Sequence, residues 1–422
     1  MKQEFKNHGA LVNSEVGELE AVITHTMGAE VENMTPDNAE RALYSDILNL
    51  SVALQEYSQF NFVLKEIAPV FEVADLLTDI LKQDYVKSEL IGRVCACSSG
   101  PCERDFLFEQ SPEDLARLLI EGVEMKKNNL SRFLSDQRYA IKPLHNFFFT
   151  RDSAICINDK VLIAKMANLV REREAQIMEA IFKYHPALAT PIVQPYHDEN
   201  HHEKISIEGG DVLVARDNIL IIGIGSRTNA HGIDGIIESM KRKKTIQHII
   251  VQELPSDRES FIHLDMVFTL LSQTECMVYE PVIMQPNRYK TIHVRIEGEQ
   301  VKINEENNIL EAMRKLGISL EPIFCGGMTD PWIQEREQWH SGANFFAVGP
   351  GKIIGYGRNS YTIDELNRHG FEVLPASAIM KGKVHPREYE KYVITIDGSE
   401  LSRGGGGARC MTMPVRRKEV SW

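Results

Sequence analysis

The stretch Asp211-Val-Leu-Val-Ala-Arg-Asp-Asn-Ile-Leu-Ile-Ile222 decides the fold: two short apolar runs meet at an Asp-Asn pair, with Glu208-Gly209-Gly210 in front of them. Polar turn residues between two β-rich runs predict a hairpin. Phe345-Phe-Ala-Val-Gly-Pro-Gly-Lys-Ile-Ile-Gly355 repeats the arrangement, and Asn146-Phe-Phe-Phe-Thr150 and Val161-Leu-Ile-Ala164 read as further strands. Helical spacing follows many of these runs, over 171–185, 233–244, 309–316 and 363–369. A unit of strand, strand, helix, strand therefore recurs at 22–23, 146–185, 208–252, 263–297 and 344–374, and the chain closes at 393–415. The expectation is an internally repetitive α/β fold, one domain over 1–422, with a helical insertion at 36–135 that Thr35-Pro36 opens. A doubly wound sheet fits less well, because hairpins outnumber crossovers.

The chain has 422 residues, with Lys and Arg numbering 47 against 60 Asp and Glu, a formal charge of −13. An acidic balance whose only basic run is Arg416-Arg417-Lys418 argues against gripping nucleic acid or an anionic membrane by bulk electrostatics. No window approaches the ~20 apolar residues needed to span a bilayer, and the N-terminus lacks the apolar core of a secretory signal. A soluble, cytoplasmic protein is expected. Its 7 cysteines are odd in number and scattered, which is not a disulfide framework.

Four places could carry chemistry. Asn146 and Asp152 fall on one face if their segment is extended, although both could equally cap a strand end. Glu208-Gly209-Gly210-Asp211 sets two carboxylates around glycines that allow close backbone approach. His263-Leu-Asp265 lies among apolar neighbours, where an extended backbone sends His263 and Asp265 to the same side and desolvation tunes both. Cys410 follows Ser402-Arg-Gly-Gly-Gly-Gly-Ala-Arg409, where a neighbouring cation would draw a thiol below its usual value of about 8.5. Two further clusters invite a metal. Cys95-Ala-Cys97 with Cys102 lacks a completing ligand pair, and His197, His201 and His202 read as a solvated loop, so no metal is expected.

Taken in order, Val16-Gly-Glu-Leu-Glu-Ala-Val-Ile-Thr-His25, Asn146 to Asp152, Glu208 to Asp211, Ile222-Gly-Ile-Gly-Ser-Arg-Thr-Asn229, His263-Leu-Asp265, Arg336-Glu-Gln-Trp339, Gly342-Ala-Asn344, Tyr356-Gly-Arg-Asn359 and Cys410-Met-Thr-Met-Pro414 resemble the arginine deiminase family over essentially the whole chain. The resemblance implies the five-bladed α/β propeller of the guanidino-group modifying (pentein) superfamily. It implies hydrolysis of L-arginine to L-citrulline and ammonia without cofactor or metal, by a homo-oligomer. By position, Cys410 resembles the nucleophile, His263 the general acid and base, Asp152 and Asp265 the guanidinium-binding carboxylates, and Glu208 the partner of His263. Asn146, Arg171 and Arg227 match positions around the substrate's amino-acid end, and Asp211 is grouped with them. Gly405 and Arg409 stand where the family's loop usually has a second Arg and a His, so Arg409 is expected to assist at the substrate carboxylate. Rival readings are amidino transfer, an arginine dihydrolase, or a non-catalytic binding protein on the same fold.

Overall fold

In the computed structural model, which describes residues 9–35, 46–97, 102–194, 205–241, 243–256 and 258–422, Val212–Arg216 and Ile219–Ile224 form the expected antiparallel hairpin, with Leu213 opposite Ile221. The helix Ala230–Lys241 then carries the chain across, and Gln247–Glu253 returns parallel to Ile219–Ile224. Parallel pairing of neighbours requires such a crossover.

The same sequence of pairings recurs. Ala154–Ile157 and Lys160–Ile163 pair antiparallel, and Ile192–Val193 joins parallel after the helix Glu172–Tyr184. Phe268–Leu270, Glu275–Val278 and Glu321–Phe324 repeat it. Phe346–Gly349, Lys352–Tyr356 and Tyr392–Ile396 do so again around the helix Ser360–Arg368. The last set joins the two ends of the chain: Leu19–Thr24 pairs antiparallel with Met413–Arg417 and parallel with Val70–Glu72. None of these sheets closes into a barrel among the described residues. No described helix is long and apolar enough to cross a membrane.

Several expectations need correction. The segment 146–152 is a run of turns, with Phe149 N–H donating to Asn146 O and Asp152 N–H to Phe149 O. Its phenylalanines enter different apolar clusters, Phe147 one and Phe148 and Phe149 another, which an alternating strand could not arrange. His263 likewise precedes a 3-10 turn, Leu264–Met266, and the strand starts only at Phe268. The hairpin of Thr291–Glu297 and Gln300–Glu306 extends the sheet of Gln247–Glu253, so the unit begun near 263 closes at Glu321–Phe324. Cys95 is disulfide-bonded to Cys102, which removes both sulfurs as metal ligands, whereas Cys156, Cys276, Cys325 and Cys410 are free and buried. His197, His201, His202 and the opening of the insertion at 36–45 lie outside the described residues.

Leu50–Ile67 carries the chain from Leu19–Thr24 across to Val70–Glu72, a strand of the repeated sheets inside the span 36–135; the helices Val73–Leu81, Asp84–Cys97 and Pro112–Glu121 follow, the last capped by the Ser111 side chain and started by proline. The helix Glu172–Tyr184 packs against Val73–Leu81 and Asp84–Cys97 on one side and the strand Lys160–Ile163 on the other, which explains why Ile177, Ile181 and Phe182 are all fully buried. Truncating a ring in such a site removes its transfer energy and leaves a cavity. Phe182→Ala should therefore cost about 3–5 kcal/mol in urea unfolding. A loss below about 1 kcal/mol would contradict the double-sided packing.

Candidate active site

Cys410 ends the glycine segment, and a single amide side chain fixes it. Asn344 Oδ1 accepts from the backbone N–H of Arg409 at 2.9 Å and of Cys410 at 3.3 Å. Its Nδ2 donates to Cys410 Sγ at 3.2 Å and to Asp265 O at 3.1 Å. The thiol sits 3.7 Å from Asp265 Oδ2. Burial pushes the Cys410 thiol well up, and the Asp265 and Asp152 carboxylates push it further. The lowering expected from Arg409 is outweighed because that guanidinium is already spent. Arg409 is buried, donating to Asp265 Oδ2 at 2.8 Å, to Glu15 at 3.0 and 3.1 Å, and to Val212 O at 2.9 Å. Glu15 matches it: burial raises its carboxyl, but Arg409 and Arg151 bring it down to about 2.

His263 is held on both ring nitrogens, Nε2 at 2.9 Å from Glu208 Oε2 and Nδ1 at 3.6 Å from Asp152 Oδ1. Burial alone would lower its pKa, yet Asp152, the Glu208 hydrogen bond and Asp211 raise it to about 9. The ring is an imidazolium at neutral pH. Glu208 is the reciprocal partner; burial raises its carboxyl, and the bond to His263 brings it to about 2. Gly210 is required by this packing, since a Cβ there would lie 2.5 Å from His263 Nδ1 and 2.9 Å from Asp152 Oδ1.

A cavity of about 390 Å³ opens over these groups, lined by Cys410, His263, Asp152, Asn146, Arg171 and Arg227, with Phe149, Met266 and Gly404 to Gly406 among its other walls. Its size fits a small-molecule site. Arg171 donates to Asp152 Oδ2 at 2.7 Å, to Glu174 and to Asn146 O, so its charge is engaged and held well above its usual range despite burial. Arg227 has no ion-pair or hydrogen-bond partner among the described residues, which makes it a cation offered to the cavity. Arg403 is paired with Asp46 and Glu400.

Four expected residues lie behind the cavity wall, one of them Glu208, which meets His263 from there. Asp265 stands between the thiol and Arg409. Asp211, expected at the substrate, accepts from the backbone N–H of Leu264 at 2.9 Å, and burial raises its carboxyl to about 7. Arg409, expected at the substrate carboxylate, is turned away from the cavity by Glu15. Asp152, Glu208 and His263 could in geometry hold a metal ion, their ligand atoms lying within 4.8 Å of one another. An ion there would have to displace the imidazolium proton and its bond to Glu208. Sequence reasoning assigned no role to Asn344, Glu15 or Glu174; only Asn344 sits in a motif, Gly342-Ala-Asn344, that could have pointed to it.

Residues 40–417 match the family model for arginine deiminase. An arginine deiminase of Bacillus cereus (strain B4264) is 32% identical over 433 residues, covering 98% of this chain and 100% of its own. That of Limosilactobacillus reuteri (strain DSM 20016) is 32% identical over 429 residues, with coverages of 97% and 98%. Among solved structures, an amidinotransferase from Microseira wollei in a saxitoxin biosynthetic pathway aligns with a TM-score of 0.56 at 13% identity, covering 97% of this chain and 98% of that one. The product-bound N-terminal domain of ArgZ, a cyanobacterial arginine dihydrolase of the ornithine-ammonia cycle, aligns at 0.53 and 14% identity, covering 95% and 98%. At these identities the two structures share the fold, whereas a family match and one-third identity along the full length decide kinship: the chain belongs to the arginine deiminase family of guanidino-group modifying proteins.

Proposed function

We propose that the protein hydrolyses L-arginine to L-citrulline and ammonia through an S-alkylthiouronium on Cys410, and that its repeated sheets are the five blades of an α/β propeller. The observation that carries the reaction is a buried thiol, 3.7 Å from the Asp265 carboxylate, that shares one cavity with Asp152 and with a His263 ring paired to Glu208. A cationic guanidinium entering beside Asp152, with Asp265 behind the thiol, offsets those carboxylates, so substrate binding itself favours loss of the thiol proton to solvent.

The thiolate then bonds to the guanidinium carbon, and the π electrons move onto nitrogen. The carbon–nitrogen bond breaks as His263 gives its proton to the departing amine, which leaves as ammonia. Neutral His263 next takes a proton from water, the oxygen bonds to the thiouronium carbon, and the carbon–sulfur bond breaks as the hydroxyl proton passes to the departing sulfur, giving citrulline and the thiol. Glu208 stabilises the imidazolium at the start and end of the cycle. At the other end of the substrate, Gly405 supplies no side chain, Arg171 is engaged and Arg409 is turned away, so the α-carboxylate falls to Arg227.

Incubation with L-arginine should yield citrulline and ammonia in equal amounts; ornithine, or transfer of the amidino group to an added amine, would overturn the reading. Cys410→Ala should be inactive with an unchanged fold, and His263→Asn should accumulate a covalent adduct on Cys410 detectable by intact-protein mass spectrometry.

A charge-assisted bond at the carboxylate contributes about 1.5–3 kcal/mol, so Arg227→Ala should raise KM for arginine roughly ten- to a hundred-fold. Agmatine, which lacks the carboxylate, should show no such change. Preference of the unaltered enzyme for agmatine would contradict the assignment.

Because the pKa of His263 is raised to about 9, its protonated form persists below that value and is lost above it. The profile of kcat/KM should hence fall as pH rises through about 9. Glu208→Gln removes a stabilising charge and should move that limb to lower pH; an unmoved limb would detach Glu208 from the titration. By linkage, His263 stabilises the fold fully below its ordinary value of about 6.5 and loses this contribution as pH rises through about 9.

A further inference from the structure

The segment that delivers Cys410 contains four consecutive glycines, Gly404 to Gly407, and Gly405 is left-handed with φ of 82°. Such a run has little conformational preference of its own. Its far end is held by Asn344 and, at Gly406 O, by the Tyr356 hydroxyl donating at 2.9 Å. The near end is held by the crossover helix Leu50–Ile67 that links the parallel strands Leu19–Thr24 and Val70–Glu72. Glu56, on the helix Leu50–Ile67, is buried, and its carboxylate accepts consecutive backbone N–H groups: Ser399 at 2.8 Å, Glu400 at 3.0 and 3.1 Å, and Leu401 at 2.9 Å. On the same turn Arg358 Nη1 donates to Gly398 O at 3.0 Å, Ser399 O at 3.1 Å and Ser402 Oγ at 2.5 Å. An anion thus takes the turn's donors while a cation takes its acceptors, the arrangement by which backbone dipoles are held most firmly. Neither residue lines the cavity.

We propose that Glu56, completed by Arg358, is a positioning residue for the nucleophile: the clamped turn at 398–402 fixes where the glycine segment starts, and so where Cys410 and the wall Gly404 to Gly406 stand. The helix Leu50–Ile67 thereby serves the site without touching substrate. The inference rests on Cys410 being the nucleophile for arginine, and one readout is independent of that.

Glu56→Gln keeps the shape of the side chain but replaces one acceptor oxygen with a donor facing backbone N–H groups. Expected are a kcat lowered about ten- to a hundred-fold, the range lost with charge-assisted bonds, a KM within about threefold, and unchanged helical content by circular dichroism. Alkylation of Cys410 by iodoacetamide, followed by peptide mass, should become at least about tenfold faster, because the buried thiol is released. The labelling decides the matter even if arginine proves not to be the substrate. Unchanged labelling and kcat in folded Glu56→Gln would overturn the proposal, as would a loss of activity explained wholly by a lower unfolding midpoint. If Glu56→Gln does not fold, Arg358→Ala on the solvent side of the turn is read by the same two measurements, with the same pair of outcomes deciding.

Discussion

Everything at the site depends on matching carboxylates that are buried away from water with cations. Glu15, Asp152, Glu174, Glu208 and Asp265 are met by Arg409, Arg171 and the His263 imidazolium within hydrogen-bonding reach. A buried ion stripped of its partner costs several kcal/mol, so each of these side chains holds its neighbour in place. The lattice spans the fold. Arg409 ties the segment before the first strand to the turn after His263, and Arg171 ties the run of turns at 146–152 to the helix Glu172–Tyr184.

Cys410 stands where that lattice is electrically incomplete. Asp265 gives one oxygen to Arg409 and both lie near the thiol, while Asp152 Oδ1 has no hydrogen-bond partner. A negative field is a poor place to form a thiolate and a good place to receive a guanidinium. In the proposed reaction the carboxylates that hold the thiol protonated also attract the cation that lets it ionise, so binding and reactivity would be coupled.

The repeating hairpins were legible because Asp-Asn and Gly-Pro-Gly turns between β-branched runs leave few alternatives, and the hairpins at 212–224 and 346–356 fall where they were expected. Cys410, His263, Asp152 and Glu208 were each singled out because reactive residue types stood in unusual surroundings, the family resemblance grouped them, and the structure brings them together at one cavity. The segments carrying Asp152 and His263 were misread as strands, since apolar runs look alike whether their side chains alternate or radiate. The role of Arg409 was misread for a different reason. Sequence places it beside Cys410, but its charge is consumed by Glu15, almost four hundred positions away, and no local pattern announces such a partner. The same holds for Glu56, whose carboxylate meets the backbone at 399–401 only once the helix Leu50–Ile67 has packed on that turn.

The pairing of Leu19–Thr24 with Met413–Arg417 has a temporal meaning. Met413–Arg417 is made almost four hundred residues after Leu19–Thr24, so the earlier strand lacks its partner on that edge until then. Closing this sheet is a contact of very high sequence separation, which the entropy of loop closure makes slow. Cys410 lies just before Met413–Arg417, so the segment that carries the thiol is anchored on that side by this long-range pairing.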